Sequence, residues 1–379
     1  MDTASAQKPR SLAKRLVFAS IPLLVLLTTL ELGVRVLRLD QDCPNSFSED
    51  KIWACDPILN FKLKPGLIAG DNPLNRAGFR SREFTRKPPG VFRVLSLGDS
   101  CTFGISATEV MPRYILEPYP QRLERLVAER IAPGRLEVLN AGVPGYNSFQ
   151  GVMLLRSKLR GLEPDLITVR FGWNDHFMSA ESPGAYGYRE PDNALALGVQ
   201  DLLLRTSLYG FFRRLNFELQ ALRARANPPP APKLPTEWIP HVPLEAYRHN
   251  LRRIVALGRA QGAEVWLLTS PHAFVIASNR DKQDAFPRDM LAYNAVPSFD
   301  RLIEIHDSYN QATREVGIEL RAPVIDMDAV YRTHADEPLF LQTDVTHPTN
   351  QGHALEAETL YARLLAERLV EPRSREPRP

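Results

Sequence analysis

The spacing of apolar and polar residues changes character along the chain, and the changes mark the elements. Leu16 to Leu30 reads Leu-Val-Phe-Ala-Ser-Ile-Pro-Leu-Leu-Val-Leu-Leu-Thr-Thr-Leu, with no charge before Glu31. Beyond about residue 90 the rhythm differs. Arg93–Leu97, Leu136–Leu139, Asp165–Val169, Glu264–Thr269 and Pro323–Asp326 are short, largely apolar runs of the kind that buried strands show. Between them the spacing is helical: Leu123, Leu126 and Val127 within 119–130; Phe149, Val152, Leu155 and Leu159; Leu244, Tyr247, Leu251, Ile254 and Val255; Phe299, Leu302, Ile305, Tyr309 and Val316; and a last helix from Ala354 to Val370. Near-continuous apolar strands alternating with helices predict a parallel sheet covered on both faces. Ligands of such sheets sit beyond the carboxyl ends of the strands, so the residues that follow each strand are where chemistry is expected.

Residues 176–242 interrupt the alternation. They hold a helical stretch, Leu202 to Leu222, and then Asn227-Pro-Pro-Pro-Ala-Pro-Lys-Leu-Pro235. A triple proline fits neither a helix interior nor a central strand. We read 176–242 as an insertion, a partial lid, in a domain that covers 91–370. Residues 38–90 read as a juxtamembrane linker and a packed N-terminal extension ending at the breaker Lys87-Pro-Pro-Gly90, and 371–379 as a disordered tail.

Charge changes this picture at one end only. The 379 residues include 47 Lys and Arg against 44 Asp and Glu, a formal net charge of +3. Lys8, Arg10, Lys14 and Arg15 against Asp2 place the whole surplus in residues 1–15. The neutral remainder lacks the basic footprint of a nucleic-acid binder, so no nucleic-acid partner is expected. A basic cluster before an apolar run is the pattern of a signal peptide or a signal anchor. No small-x-small cleavage site follows, and the apolar pattern continues to Leu37 with Glu31 and Arg35 close to the interface. The expectation is an uncleaved transmembrane anchor over 16–37, with 1–15 cytoplasmic and everything after about residue 40 exported. In an oxidising compartment Cys43 and Cys55, which bracket a short loop, could pair; Cys101 has no evident partner.

Four clusters carry candidate chemistry. Gly98-Asp99-Ser100-Cys101-Thr102-Phe103-Gly104 follows the first strand. A serine hydroxyl is a weak nucleophile until a base takes its proton, and Thr102 occupies the second glycine position of the G-x-S-x-G elbow, so the motif is not that one. Asn140-Ala-Gly-Val-Pro-Gly145-Tyr146-Asn147 follows the second strand; Gly145 would let backbone N–H approach a ligand, and a plain turn reads the same way. Phe171-Gly-Trp173-Asn174-Asp175 follows the third; the Asn174 amide could donate to an oxyanion or serve an Asx turn. Asp344-Val-Thr-His347 precedes the last helix. His347 suits a general base, and a carboxylate three residues earlier could fix its tautomer; an exposed loop histidine is the plain alternative. Histidines elsewhere form no HExxH or paired-cysteine pattern, so neither a metal nor a cofactor is expected.

Singly each cluster is ambiguous. In the order GDS, NAGxxG, GxND, DxxH they resemble the SGNH hydrolases, the GDSL-type esterase and lipase superfamily, over about residues 90–370. The resemblance implies a three-layer α/β/α sandwich on a five-stranded parallel sheet, a flavodoxin-like arrangement, here with one N-terminal transmembrane helix added. It implies Ser100 as nucleophile, His347 as base and Asp344 as its orienting partner. The oxyanion hole would be the backbone N–H of Ser100, that of Gly145 and the Asn174 amide. Asp99 and Asp175 would serve their loops. The activity implied is metal-free ester hydrolysis through an acyl-enzyme, on an ester-bearing small molecule or a glycan, with O-acetyl esters of envelope polysaccharide as one class. For an anchored bacterial member this places the body on the periplasmic or extracellular side of the inner membrane. Acyl transfer by the same triad, and a non-catalytic glycan- or partner-binding role, are the alternatives. Cys101-Thr102 stand where leucine-type residues are usual in the family.

Overall fold

The computed structural model describes residues 12–40, 52–69, 72–106, 113–114, 117–177, 193–227, 236–281 and 283–370. Cys43, residues 1–11 and the tail 371–379 lie outside these. Helix α1 spans Leu12–Leu37. The sheet strands are β1 (Phe92–Gly98), β2 (Leu136–Gly142), β3 (Leu166–Arg170), β4 (Glu264–Leu268) and β5 (Val324–Ile325). The helices used below are α2 (Ser100–Phe103), α3 (Tyr119–Arg130), α4 (Ser148–Arg156), α5 (Trp173–His176), α6 (Ala194–Leu203), α7 (Ser207–Ala226), α8 (Leu244–Ala260), α9 (Phe299–Leu320) and α10 (Asn350–Ala366).

The chain divides into two compact units: residues 1–49, 54–61 and 190–228, and residues 50–53, 62–189 and 229–379. The second holds the sheet, in the order β5-β4-β3-β1-β2, all parallel. The direction of winding reverses between β1 and β3, which creates the crevice where such sheets bind ligands. Alternate residues face opposite layers. Val94, Val138, Leu166, Trp266 and Leu268 pack on α3 and α10 through Leu123, Val127, Leu360 and Leu364. Leu95, Leu97, Ile167, Val169, Val265 and Leu267 are buried towards the other layer, where α4, α8 and α9 pack against each other. Gly258 of α8 allows that layer to close, since a Cβ there would sit 2.5 Å from Val265 Cγ2. The α/β/α sandwich and five-stranded sheet are therefore as the sequence implies.

Element ends differ in detail for local reasons. The last helix starts at Asn350, not Ala354, because Thr349 Oγ1 accepts the Gly352 N–H at 3.2 Å and caps it. The stretch Leu202 to Leu222 is two helices. Thr206 Oγ1 accepts the Tyr209 N–H and begins α7 afresh three residues after α6 ends.

In the first unit, α1 and α7 meet near the end of α1. Glu31 accepts the N–H groups of Ser207 and Leu208 at 2.9 and 2.8 Å, capping α7 with a carboxylate from another helix. Among the described residues, α1 is the one helix long and apolar enough to cross a membrane, through Ser20–Leu37 with a mean hydropathy of 1.8. Cys55 is buried and disulfide-bonded.

Candidate active site

Ser100 is placed by its neighbours on both sides. β1 ends at Gly98, and the Asp99 carboxylate accepts the Cys101 N–H at 2.9 Å, starting α2 with Ser100 as its first residue. The N–H of a first helical residue has no intrahelical partner, so it is free to serve a ligand. α2 lies hard against the sheet. A Cβ on Gly98 would meet Arg170 O at 2.7 Å, and one on Gly142 would collide with Phe103 N. Its last carbonyls are bonded from outside: Asn140 Nδ2 donates to Thr102 O at 3.0 Å, and Arg80 Nη1 donates to Phe103 O and Gly104 O at 3.1 and 3.0 Å. Burial pushes the Asp99 carboxyl up against the opposing charge of Arg170, and burial also holds the Cys101 thiol protonated.

His347 is held by a tight loop. Leu341 N–H bonds His347 O, and Asp344 N–H bonds Leu341 O, both at 3.1 Å. Asp344 Oδ1 accepts the N–H groups of Thr346 and His347 at 2.8 and 3.0 Å, leaving Oδ2 to accept from His347 Nδ1 at 2.8 Å. Burial works to raise the Asp344 carboxyl, but the imidazole and these backbone donors outweigh it and hold it below its ordinary range. Ionised Asp344 can only accept, so Nδ1 carries the ring proton of neutral His347. Nε2 is then a bare lone pair, and Ser100 Oγ, 2.9 Å away, donates to it.

Asn174 comes from α5, one turn beyond β3. Its Nδ2 donates to Tyr146 O at 3.0 Å, which ties the third cluster to the second and leaves a further N–H on the amide. Asp175 serves structure, as the resemblance implies. Fully buried, it accepts from Ser148 N, Ser148 Oγ and Gly172 N, locking the start of α4 to the end of β3. Burial pushes its carboxyl up to about 7. Under Asn174, the Trp173 ring stacks on His306 at 3.9 Å. His306 Nε2 bonds Ser270 O at 2.6 Å, and its Nδ1 lies 2.9 Å from His176 Nε2. A carbonyl only accepts, so His306 is protonated on Nε2 and His176 donates to Nδ1. Burial keeps both rings neutral, with His306 pushed down to about 4.

Ser100, Asn174, Asp344 and His347 all line one cavity of about 830 Å3, with Trp173, Phe177, Met290 and Leu341 among its apolar walls. Gly145 is not among the lining residues. It takes a positive φ of 78° one residue before the carbonyl that Asn174 binds. Arg80, His306 and the wall residues Met290 and Leu341 were not singled out by the sequence, and none belongs to a motif that would mark it. Among the described residues one other cluster has metal-ligand types, His272, Asp307 and Asp328. There Arg314 and Arg332 already pair with Asp328 at 3.1 Å, so the cation place is taken by guanidinium groups.

This architecture and these motifs define an α/β/α hydrolase. A family model described as GDSL-like lipase/acylhydrolase matches residues 96–355. The chain belongs to that family and is a hydrolase acting on ester bonds. Among solved structures it is similar to a lipase/acylhydrolase from Enterococcus faecalis, at 17% identity over 75% of this chain and 100% of that one, with a TM-score of 0.44. It is similar also to the acetylxylan esterase Axe2 from Geobacillus stearothermophilus, at 18% identity over 75% and 97%, with a TM-score of 0.42. A third is LAE5, an alpha/beta hydrolase from the metagenome of Lake Arreo, at 18% identity over 74% and 96%, with a TM-score of 0.41. No curated protein matches the sequence.

Proposed function

We propose that the protein is an exported, membrane-anchored serine esterase that acts on carboxylic esters, O-acetyl esters of envelope polysaccharide among them. The observation that carries this reading is the bonded series Asp344–His347–Ser100, with steps of 2.8 and 2.9 Å, at the wall of a cavity. His347 Nε2 takes the Ser100 proton as Oγ attacks the ester carbonyl, and Asp344 stabilises the imidazolium that results. The carbonyl oxygen gains negative charge beside the Ser100 N–H and the Asn174 amide, both at the cavity wall, with the Gly145 N–H, outside that wall, as the third donor the resemblance implies. His347 returns the proton to the leaving alcohol. Water then repeats the sequence on the acyl-enzyme and frees Ser100.

Export is supported by the apolar span of α1, the basic residues before it and the disulfide at Cys55, a bond that persists outside reducing compartments. The test compares wild type with Ser100→Ala on p-nitrophenyl acetate, alongside fluorophosphonate labelling. Loss of both signals in the variant is the expected result; equal turnover by the two proteins would remove Ser100 from the chemistry. A panel of acetyl to longer acyl esters, including acetylated glycans, then reads the substrate class.

A further inference from the structure

The proposed esterase does not use α6 and α7, and both helices leave large apolar side chains in the open. On α6, Leu195, Val199 and Leu202 recur at helical spacing and form one stripe; Leu195 is 80% and Leu202 62% exposed. On α7, Phe212, Leu215, Leu219 and Leu222 form a second, also exposed. A soluble domain would bury such stripes, and contiguous apolar patches of this kind mark interaction sites.

We propose that the α6–α7 pair lies in the outer face of the bilayer beside α1, a second membrane contact that binds anionic phospholipid. This rests on the reading of α1 as an anchor. Three observations favour lipid over a protein partner. First, the pair is fixed to the end of the span from which the exported chain leaves. Glu31 caps Ser207 and Leu208, Arg35 reaches Arg205 O at 3.3 Å, and Arg214 Nη1 donates to Leu39 O at 2.7 Å. Gly210 lies against Asp40, where a Cβ would come within 3.1 Å of the aspartate Cβ. Second, α1 itself is apolar and exposed, with Leu26, Leu30, Leu32, Val36 and Leu37 all uncovered. A lipid phase that covers α1 reaches its last turns, to which α6 and α7 are attached. Third, α7 carries Arg213, Arg214, Arg223 and Arg225 against Glu218. Apolar stripes with surplus arginine are the composition of helices that lie in a headgroup layer. Glu31, a charge within the span, is neutralised by Arg35 at 2.6 Å and by two backbone donors, which makes it tolerable near the interface.

The experiment uses the full chain reconstituted in vesicles of phosphatidylcholine and phosphatidylglycerol, with a nitroxide high on the lipid acyl chain as quencher for the labels on α7 and Glu245 and one near the chain end as quencher for the label in the span. A bimane label is placed singly at Phe212→Cys, Leu219→Cys, Leu26→Cys in the span, and Glu245→Cys on the water-exposed body; the unsubstituted chain supplies the background. Helices of this kind sit roughly 5–10 Å into the boundary, so quenching at Phe212 and Leu219 should exceed that at Glu245 at least about threefold and approach that at Leu26. Quenching at Leu26 with Phe212 and Leu219 equal to Glu245 overturns the proposal and leaves the anchor standing. A blue-shifted but unquenched label at Phe212 also overturns it, in favour of a second copy of the chain. An unquenched Leu26 overturns the anchor and the proposal together.

Discussion

Replacing Asp344 with asparagine should abolish the base without disturbing the loop, and the structure gives the reason. Asp344 Oδ1 is committed to the N–H groups of Thr346 and His347, both of which need an acceptor. In the variant the amide oxygen must stay there, so the amide nitrogen turns towards His347 Nδ1. Two donors cannot share a 2.8 Å contact. His347 therefore shifts its proton to Nε2, and the lone pair that faced Ser100 Oγ is lost. A wrong tautomer in a serine triad costs about 10⁴ in turnover, or about 5.5 kcal/mol of transition-state stabilisation. Initial rates on p-nitrophenyl acetate read the loss, and a thermal melt confirms that the variant is folded. Activity within tenfold of wild type would refute both the tautomer assignment and the role of Asp344.

The same pair of proteins tests the pH dependence of stability. The Asp344 carboxyl is held below its ordinary range, so its contribution is complete above the unfolded value of about 4 and is lost as pH falls through the folded value; the difference in Tm between wild type and Asp344→Asn should shrink on acidification below about pH 4. Asn174→Ala should lower kcat by about 10²–10³ with little change in KM, as expected for a donor that acts in the transition state; an unchanged kcat would exclude it from the oxyanion site. Arg80→Ala removes two bonds from a buried guanidinium to the end of α2, and urea denaturation should show a loss of about 3 kcal/mol. Gly142→Ala forces a Cβ against Phe103 N, and a shift of α2 by even 1 Å should reduce kcat about 10²-fold; unaltered kinetics would mean that α2 is not held as tightly as the contact implies.

The residues proposed to perform the chemistry and those that hold them differ in how far a sequence discloses them. Five strands are legible because a strand covered on both faces must be apolar along its whole length, and the four clusters, each ambiguous alone, are legible through their order, three of them directly after strands. Catalysis also restricts residue type: a nucleophile, a base and a carboxylate have few substitutes. The supporting residues meet a looser demand. Arg80 satisfies the carbonyls of α2 from twenty residues upstream, a task that any donor at that point in space could do, and nothing near Arg80 in the sequence announces it. The stack of Trp173 on His306, and the bond from His176 to His306, join α5 to α9, two elements far apart in sequence that only packing brings together. α2 and α5, four residues each, are too short for any periodicity and exist because Asp99 and Gly172 set their first turns. Arg170 shows the hazard of reading such a residue alone. It ends β3 two residues before the Gly-Trp-Asn-Asp cluster, where a cation could be taken for an anchor of substrate charge. It is instead fully buried and paired with Glu356 at 2.7 Å, which in turn accepts from Tyr331 at 2.9 Å. Its charge is spent inside the fold, on Glu356 of α10, and not on a ligand in the cavity.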